Sequence, residues 1–212
     1  MDAVTAAIHF FQTGGAFMYP ILIILALGVA IGIERYIYLT RAHASTRKVW
    51  RQVVAMLESR DYNQAKTLAE KSSCALGTIL SYGFSRAATI DAKRRDDIEA
   101  AMEEGLMEVM PKLEKRTHYL ATFANIATLL GLLGTIIGLI QAFTAVAGAD
   151  PAEKANLLSA SISVAMNTTA FGLIAAIPML LMHTFLQTKT VQLVDTLEMA
   201  AVKCLNLLSK PD

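Results

Sequence analysis

The sequence predicts an all-α integral membrane protein. It has three transmembrane helices, N-terminus outside and C-terminus inside, with long helical cytoplasmic extensions. Three observations predict this. Of the 212 residues, 54% are hydrophobic and only 17% charged, against about 45–50% and about 25% in soluble domains. Residues 16–33, 119–149 and 155–188 contain no Asp, Glu, Lys or Arg, and runs of about 20 apolar residues cross a bilayer. The basic residues are also unevenly placed: 15 of the 19 Lys and Arg lie between positions 34 and 118. Lys and Arg collect on the cytoplasmic side, which puts that segment and the C-terminal tail inside.

Residues 1–15 hold one acid, no Lys or Arg, and the pair Phe10-Phe11. A secretory signal opens with a basic region, so this stretch reads instead as a short periplasmic or interfacial helix. Ile8, Phe10 and Phe11 then lie at the membrane surface, and Gly14-Gly15 end the helix. Residues 16–38 form the first span. Pro20 suits a first helical turn, and Tyr36 and Tyr38 suit the membrane boundary. Residues 39–118 form the cytoplasmic helical segment. Trp50, Val53, Val54 and Leu57 repeat at helical spacing, Asp61 is a cap for a second helix, and residues 76–84 form a third. Ile98, Met102, Leu106 and Met110 mark the stripe of a fourth, which Pro111 is expected to kink or break. Glu99, Glu103, Glu104 and Glu108 beside that stripe read as a solvated face or a salt-bridge belt between subunits.

Residues 119–149 and 155–188 are the second and third spans, joined by a periplasmic loop at 150–154. Residues 189–212 continue the third span as an amphipathic cytoplasmic helix, with Val191, Val194, Leu197, Ala201, Leu205 and Leu208 on one side.

The hairpin of the second and third spans carries the functional signal. Small residues recur at helical spacing: Gly131, Gly134 and Gly138 in the second span, and Ser161, Ala165, Gly172 and Ala176 in the third. Such faces let helix backbones approach closely in lipid. Hydroxyls and amides are superimposed on them. Asn125, Thr128 and Thr135 fall within about 80° on a wheel advancing about 100° per residue. Thr135 lies mid-span, and Thr168 and Thr169 lie near the middle of the third span. Taken singly, a membrane Thr bonds back to the carbonyl one turn earlier. Clustered at one depth, such groups line a wet passage or cradle a partner group. Membrane proton relays use Asp, Glu or His, and the span cores have none: His9, His118 and His183 sit at span ends. The titrating carboxylate must therefore come from another chain.

Other functions are excluded. A net charge of +1 gives no attraction for nucleic acid. Cys74 and Cys204 are far apart and in no CxxC setting, so they read as reduced structural thiols rather than metal or disulfide frameworks. No phosphate loop, metal-ligand spacing or catalytic triad is present. Gly131 to Gly138 lie inside a lipid-length run and are packing glycines rather than a nucleotide loop. No enzymatic activity, metal or cofactor is expected.

ATLLGLLGTIIGLIQAF (residues 127–143) and ISVAMNTTAFGLIAAIP (162–178) closely resemble the second and third spans of the ExbB/TolQ/MotA ion-channel family. MEEGLMEVMPKLEKRTHYL (102–120) and YPILIILALGVAIGIER (19–35) are similar as well. Three spans rather than four look more like ExbB and TolQ than MotA. The resemblance implies a homo-pentamer in the bacterial inner membrane around a single-span partner of the ExbD/TolR type. That partner's transmembrane Asp carries the proton. Proton flow then drives work on a TonB-type periplasm-spanning protein or on the outer envelope. It also implies that the family's channel-lining threonines fall on Thr135 and Thr169, with Thr168, Asn125, Thr128 and Ser161 contributing to the same lining. Gly131, Gly134, Gly138 and Gly172 pack the helices. Relatives of the ExbB type often carry Glu in the third span where this chain has Val164, which throws more weight on the partner's carboxylate. The hydroxyl-rich faces make Na⁺ the alternative to H⁺, since hard cations take oxygen ligands. A TolQ-like envelope motor and a non-conducting scaffold are the alternative functions.

Overall fold

The computed structural model describes residues 10–11, 14–89 and 95–209. Ile8 and His9 lie outside the described residues. The described chain is all helix: α1 Met18–Glu58, α2 Tyr62–Lys71, α3 Ala75–Thr89, α4 Arg95–Glu114, α5 Thr117–Ala147 and α6 Lys154–Leu208. Three stretches are long and apolar enough to cross a membrane: α1, the run from α4 into α5, and α6. The first span and the first cytoplasmic helix, separate in the sequence reading, form one 41-residue helix. The third span runs on into the C-terminal helix as expected, forming one helix of 55 residues. The chain clusters into two compact units.

The first unit comprises residues 1–33 and 116–184. Its core is built from Met18 and Ile21 of α1, Ala124 and Ala127 of α5, and Phe171, Ala175, Ala176 and Met179 of α6. Alanines on α5 and α6 keep those helices close, and the larger α1 side chains fill the remaining space. Phe10 and Phe11 are half-buried and pack against this core. Phe11 meets the Phe171 ring edge-on at 5.0 Å, and Phe10 meets it at 6.4 Å. The opposite sides of the helices present apolar residues outward, among them Ile23, Leu129, Ile140 and Leu181. That pattern suits a lipid surround. After α5, the Asp150 carbonyl accepts from the backbone N–H of Glu153 and of Lys154, and this turn starts α6.

The second unit comprises residues 34–115 and 185–212. Its helix ends are built from specific local chemistry. α1 stops at Arg60, which takes the left-handed φ of 59°. Asp61 N–H donates to Met56 and Arg60 N–H to Leu57, the paired bonds of a Schellman ending. Asp61 then caps α2 by accepting from Gln64 N–H. Ser72 ends α2, its hydroxyl donating to the Ala69 carbonyl. α4 buries Ile98, Met102, Gly105, Val109 and Leu113. The stripe therefore runs through Gly105 and Val109, not through Leu106 and Met110, which are half-buried. The reason is steric: a Cβ on Gly105 would lie 2.9 Å from Ile79 Cα. Only a glycine lets α3 come that close, and this closeness sets the buried face.

Pro111 does not break α4. The helix runs on to Glu114, and Lys115 N–H still donates to the Pro111 carbonyl. The interruption comes at Arg116, with φ of 65°. The Arg35 side chain is buried, donates to the Leu113 carbonyl in the last turn of α4, and lies 4.6 Å over the Tyr38 ring. A cation is favoured there because the last carbonyls of a helix carry its negative end.

Candidate functional site

Three backbone approaches in the first unit bring α5 and α6 together. A Cβ on Gly131 would lie 3.3 Å from the Cα atoms of both Gly172 and Thr169. One on Gly172 would lie 2.8 Å from the Ala127 carbonyl oxygen, and one on Gly138 would lie 2.8 Å from Ala165 Cβ. A side chain in place of Gly172 would push the helices apart. Small residues thus set the spacing, and the spacing sets what the hydroxyls reach.

Thr135 Oγ1 and Thr169 Oγ1 are 2.6 Å apart across this seam. Both converge on one carbonyl: Thr169 Oγ1 lies 2.8 Å and Thr135 Oγ1 3.1 Å from the Gly131 oxygen. Thr135 Oγ1 is also 2.9 Å from the Leu132 oxygen. Each hydroxyl has one hydrogen and two lone pairs, so the contacts are not all made at once. When Thr169 donates to Gly131, Thr135 donates to Thr169. When Thr135 donates to a carbonyl, Thr169 donates to Thr135. Both side chains are half-buried, so the pair reaches the surface of the unit with spare lone pairs.

The other candidates are placed differently. Thr168, one residue away, is buried, and its hydroxyl contacts the Gly14 carbonyl at 2.6 Å as well as its own helix at Val164, 3.0 Å. It fastens the segment before α1 to α6. Gly134 packs against it, with a Cβ position 2.4 Å from Thr168 Cγ2. Thr128 is exposed and donates back to Ala124 at 3.0 Å. Asn125 is exposed and Ser161 half-buried. Of the six polar candidates, Thr135 and Thr169 are the pair joined to each other. Two participants escaped the sequence reading, the Gly131 and Gly14 carbonyls, because a backbone acceptor leaves no residue-type signal. Gly14 was read only as a helix stop.

The arrangement offers hydroxyl donors and acceptors in an apolar setting. It has no group that itself ionises near neutral pH. Among the described residues no three His, Cys, Asp or Glu gather as a metal set. A visiting carboxyl group, protonated or not, or a partly dehydrated cation, matches this chemistry.

Residues 71–199 match the MotA/TolQ/ExbB proton channel family. A "Putative biopolymer transport protein ExbB-like 3" from Synechocystis is 27% identical over 171 residues, 80% of each chain. A "Putative biopolymer transport protein ExbB homolog" from Methanothermobacter thermautotrophicus is 27% identical over 194 residues, 91% of this chain and 67% of that one. The "Tol-Pal system protein TolQ" of Haemophilus influenzae is 35% identical over 107 residues, 47% of this chain and 46% of that one.

Proposed function

This chain belongs to the MotA/TolQ/ExbB proton channel family, is most like ExbB and is a multi-pass membrane protein, and on that premise we propose that it is the ring-forming subunit of a proton-driven motor in the bacterial inner membrane. The family is one of channels rather than enzymes. The observation that carries the reading is the Thr135–Thr169 hydroxyl pair, set between two spans that hold no carboxylate of their own.

In this reading the chain lies with its N-terminus outside and C-terminus inside, and five copies surround an ExbD/TolR-type partner. The partner's transmembrane Asp is costly when charged, about 2.5–3.5 kcal/mol on insertion scales. The membrane potential supplies about 2.3 kcal/mol per charge per 100 mV. Thr135 and Thr169 donate to the charged carboxylate at one station of the cycle and lower its cost there. Protonation releases it. Alternation between the two states biases the partner's position, and the partner works on a TonB-type protein for outer-membrane transport. The identity to TolQ over nearly half the chain supports a second reading, a Tol-type envelope motor with the same chemistry.

The test uses the full chain reconstituted with its single-span partner. Thr135→Val and Thr169→Val abolish ion flux and energised uptake while the complex still assembles. Full activity in both variants overturns the reading, as does assembly with partner but no flux in the wild-type complex. Replacing Na⁺ with another monovalent cation leaves flux unchanged if the ion is H⁺. Dependence on Na⁺ reassigns the ion.

A further inference from the structure

The second unit carries two surfaces of opposite charge on opposite sides of one helix. The first is a cavity of about 600 Å³ between α1 and α6, lined by His43, Arg47, Lys48, Arg51 and Lys189 and by no carboxylate. Lys189 is held in place: its ammonium lies 4.3 Å from the Tyr36 ring centre, 5.1 Å from that of Phe185, and 3.4 Å from Thr40 Oγ1. Arg47, Lys48 and Arg51 are exposed, and none makes an ion pair among the described residues. The second surface is a groove of about 330 Å³ between α4 and α6. Its floor is apolar, with Met102, Leu106 and Leu205, and its rim is Glu99, Glu103 and Glu198. The three acids are exposed and also lack a basic partner among the described residues. Val202, on the same groove, leaves 49% of its area exposed, and Met199 beside it 56%.

Two geometric facts relate the surfaces. At about 100° per residue, Lys189 and Gln192 point roughly 180° away from the mean direction of Glu198, Ala201 and Leu205 on α6. The second fact is register. Tyr36 stacks on Phe185 and Thr40 meets Lys189, and each pair is separated by 149 positions. The two helices therefore run parallel here, and Arg47 and Arg51 stand level with Thr196 and Ala200, bracketing the height of Glu198.

Complementary surfaces at one level on different sides of a subunit permit a head-to-tail contact between copies, which closes into a ring when the rotation between copies allows it. We propose that the basic cavity of one copy receives the acid-rimmed groove of the next, with Arg47 and Arg51 facing Glu198 and Glu103. The proposal rests on the ring-forming reading above and adds which faces meet. Like charges juxtaposed across such a contact are strongly unfavourable, so charge determines both the neighbour and its height.

The test is a charge swap in the full chain, purified in detergent with its partner. Wild-type protein gives one oligomer. Arg47→Glu with Arg51→Glu, and separately Glu103→Arg with Glu198→Arg, each raise the concentration at half-dissociation by about tenfold or more. The combined four-site swap restores it, and helical content stays unchanged throughout. Added salt weakens the wild-type oligomer, since rim charges are screened. A wild-type monomer overturns the ring reading itself. An unchanged oligomer in both single-side reversals, or no restoration in the swap, overturns only this interface. A third outcome does so as well: the basic-side reversal leaves the oligomer intact but removes binding to vesicles containing phosphatidylglycerol, which makes the cavity a lipid phosphate site.

Discussion

Thr135 and Thr169, 34 residues apart in the chain, share a 2.6 Å hydroxyl contact and a common acceptor in the Gly131 carbonyl. The contact exists because Gly131 and Gly172 admit a backbone-to-backbone approach. Its energetic weight is therefore separable from that of Thr168, whose hydroxyl serves a different purpose.

Valine replacements rank these roles. Thr168→Val leaves the Gly14 carbonyl without its donor inside the protein and costs about 1–3 kcal/mol. Thr169→Val removes an interhelical bond and costs about 0.6–1.7 kcal/mol. Thr144→Val, at an exposed site bonded only to its own helix at Ile140, changes stability by less than about 0.5 kcal/mol. Reversible unfolding in mixed detergent micelles gives the order, and equal effects at all three sites refute the assignment.

Glycine replacements separate contact from composition. Gly172→Ala sets a methyl 2.8 Å from the Ala127 oxygen and costs about 1–3 kcal/mol through overpacking. Gly148→Ala meets nothing within 4 Å and is near neutral. Thermal melts fall for Gly172→Ala and stay at the wild-type value for Gly148→Ala; equal melts contradict the close approach at Gly172.

The two thiols differ in accessibility. Burial pushes the Cys204 thiol up to about 12, and Cys74 is half-buried at the start of α3, accepting from Gly77 N–H. At pH 8, maleimide labels Cys74 first, and Cys204 reacts only after denaturant opens the second unit. Equal labelling rates in the folded protein contradict this packing.

A small network bridges α3 and α4: Tyr82 donates to Glu108 at 3.0 Å, and Lys112 pairs with Glu108 at 2.9 Å. The Lys112 bond, then the Tyr82 bond, hold the Glu108 carboxyl below its ordinary 4.5. Bonding to Glu108 holds Tyr82 above 10.0 and Lys112 above 10.5. The sign follows. The Glu108 contribution is present above about pH 4.5 and is lost as pH falls through its lowered value. The Tyr82 and Lys112 contributions are present below about pH 10 and are lost as pH rises through their raised values. Glu108 and Lys112 are exposed and Tyr82 is half-buried at the surface, so the effect is small and screened by salt. Glu108→Gln flattens the acid side of the stability profile, and an unchanged profile shows that the network is inert.

The helical class and the three apolar stretches were legible because charge-free runs and basic clustering are sequence-wide patterns. Thr135 and Thr169 were singled out among many polar side chains by the family resemblance, and their contact with each other was not legible, since they stand on different helices. Continuity was legible at 189–190, where the apolar repeat carries on past the third span, but not at positions 39–48, where no such repeat shows that one helix passes through. The buried face of α4 was misread because Gly105 is no hydrophobe, yet it is the point of closest approach to α3. The contact of Phe11 with Phe171, 160 positions away, was equally out of reach of a local pattern.

The two adjacent threonines on α6 have one more consequence. Thr168 is latched to Gly14 and Thr169 to Gly131, about 100° apart around the helix axis. Turning α6 about its axis therefore disturbs contacts with two different neighbours at once, the segment before α1 and α5, at a cost of about 1 kcal/mol for each bond lost.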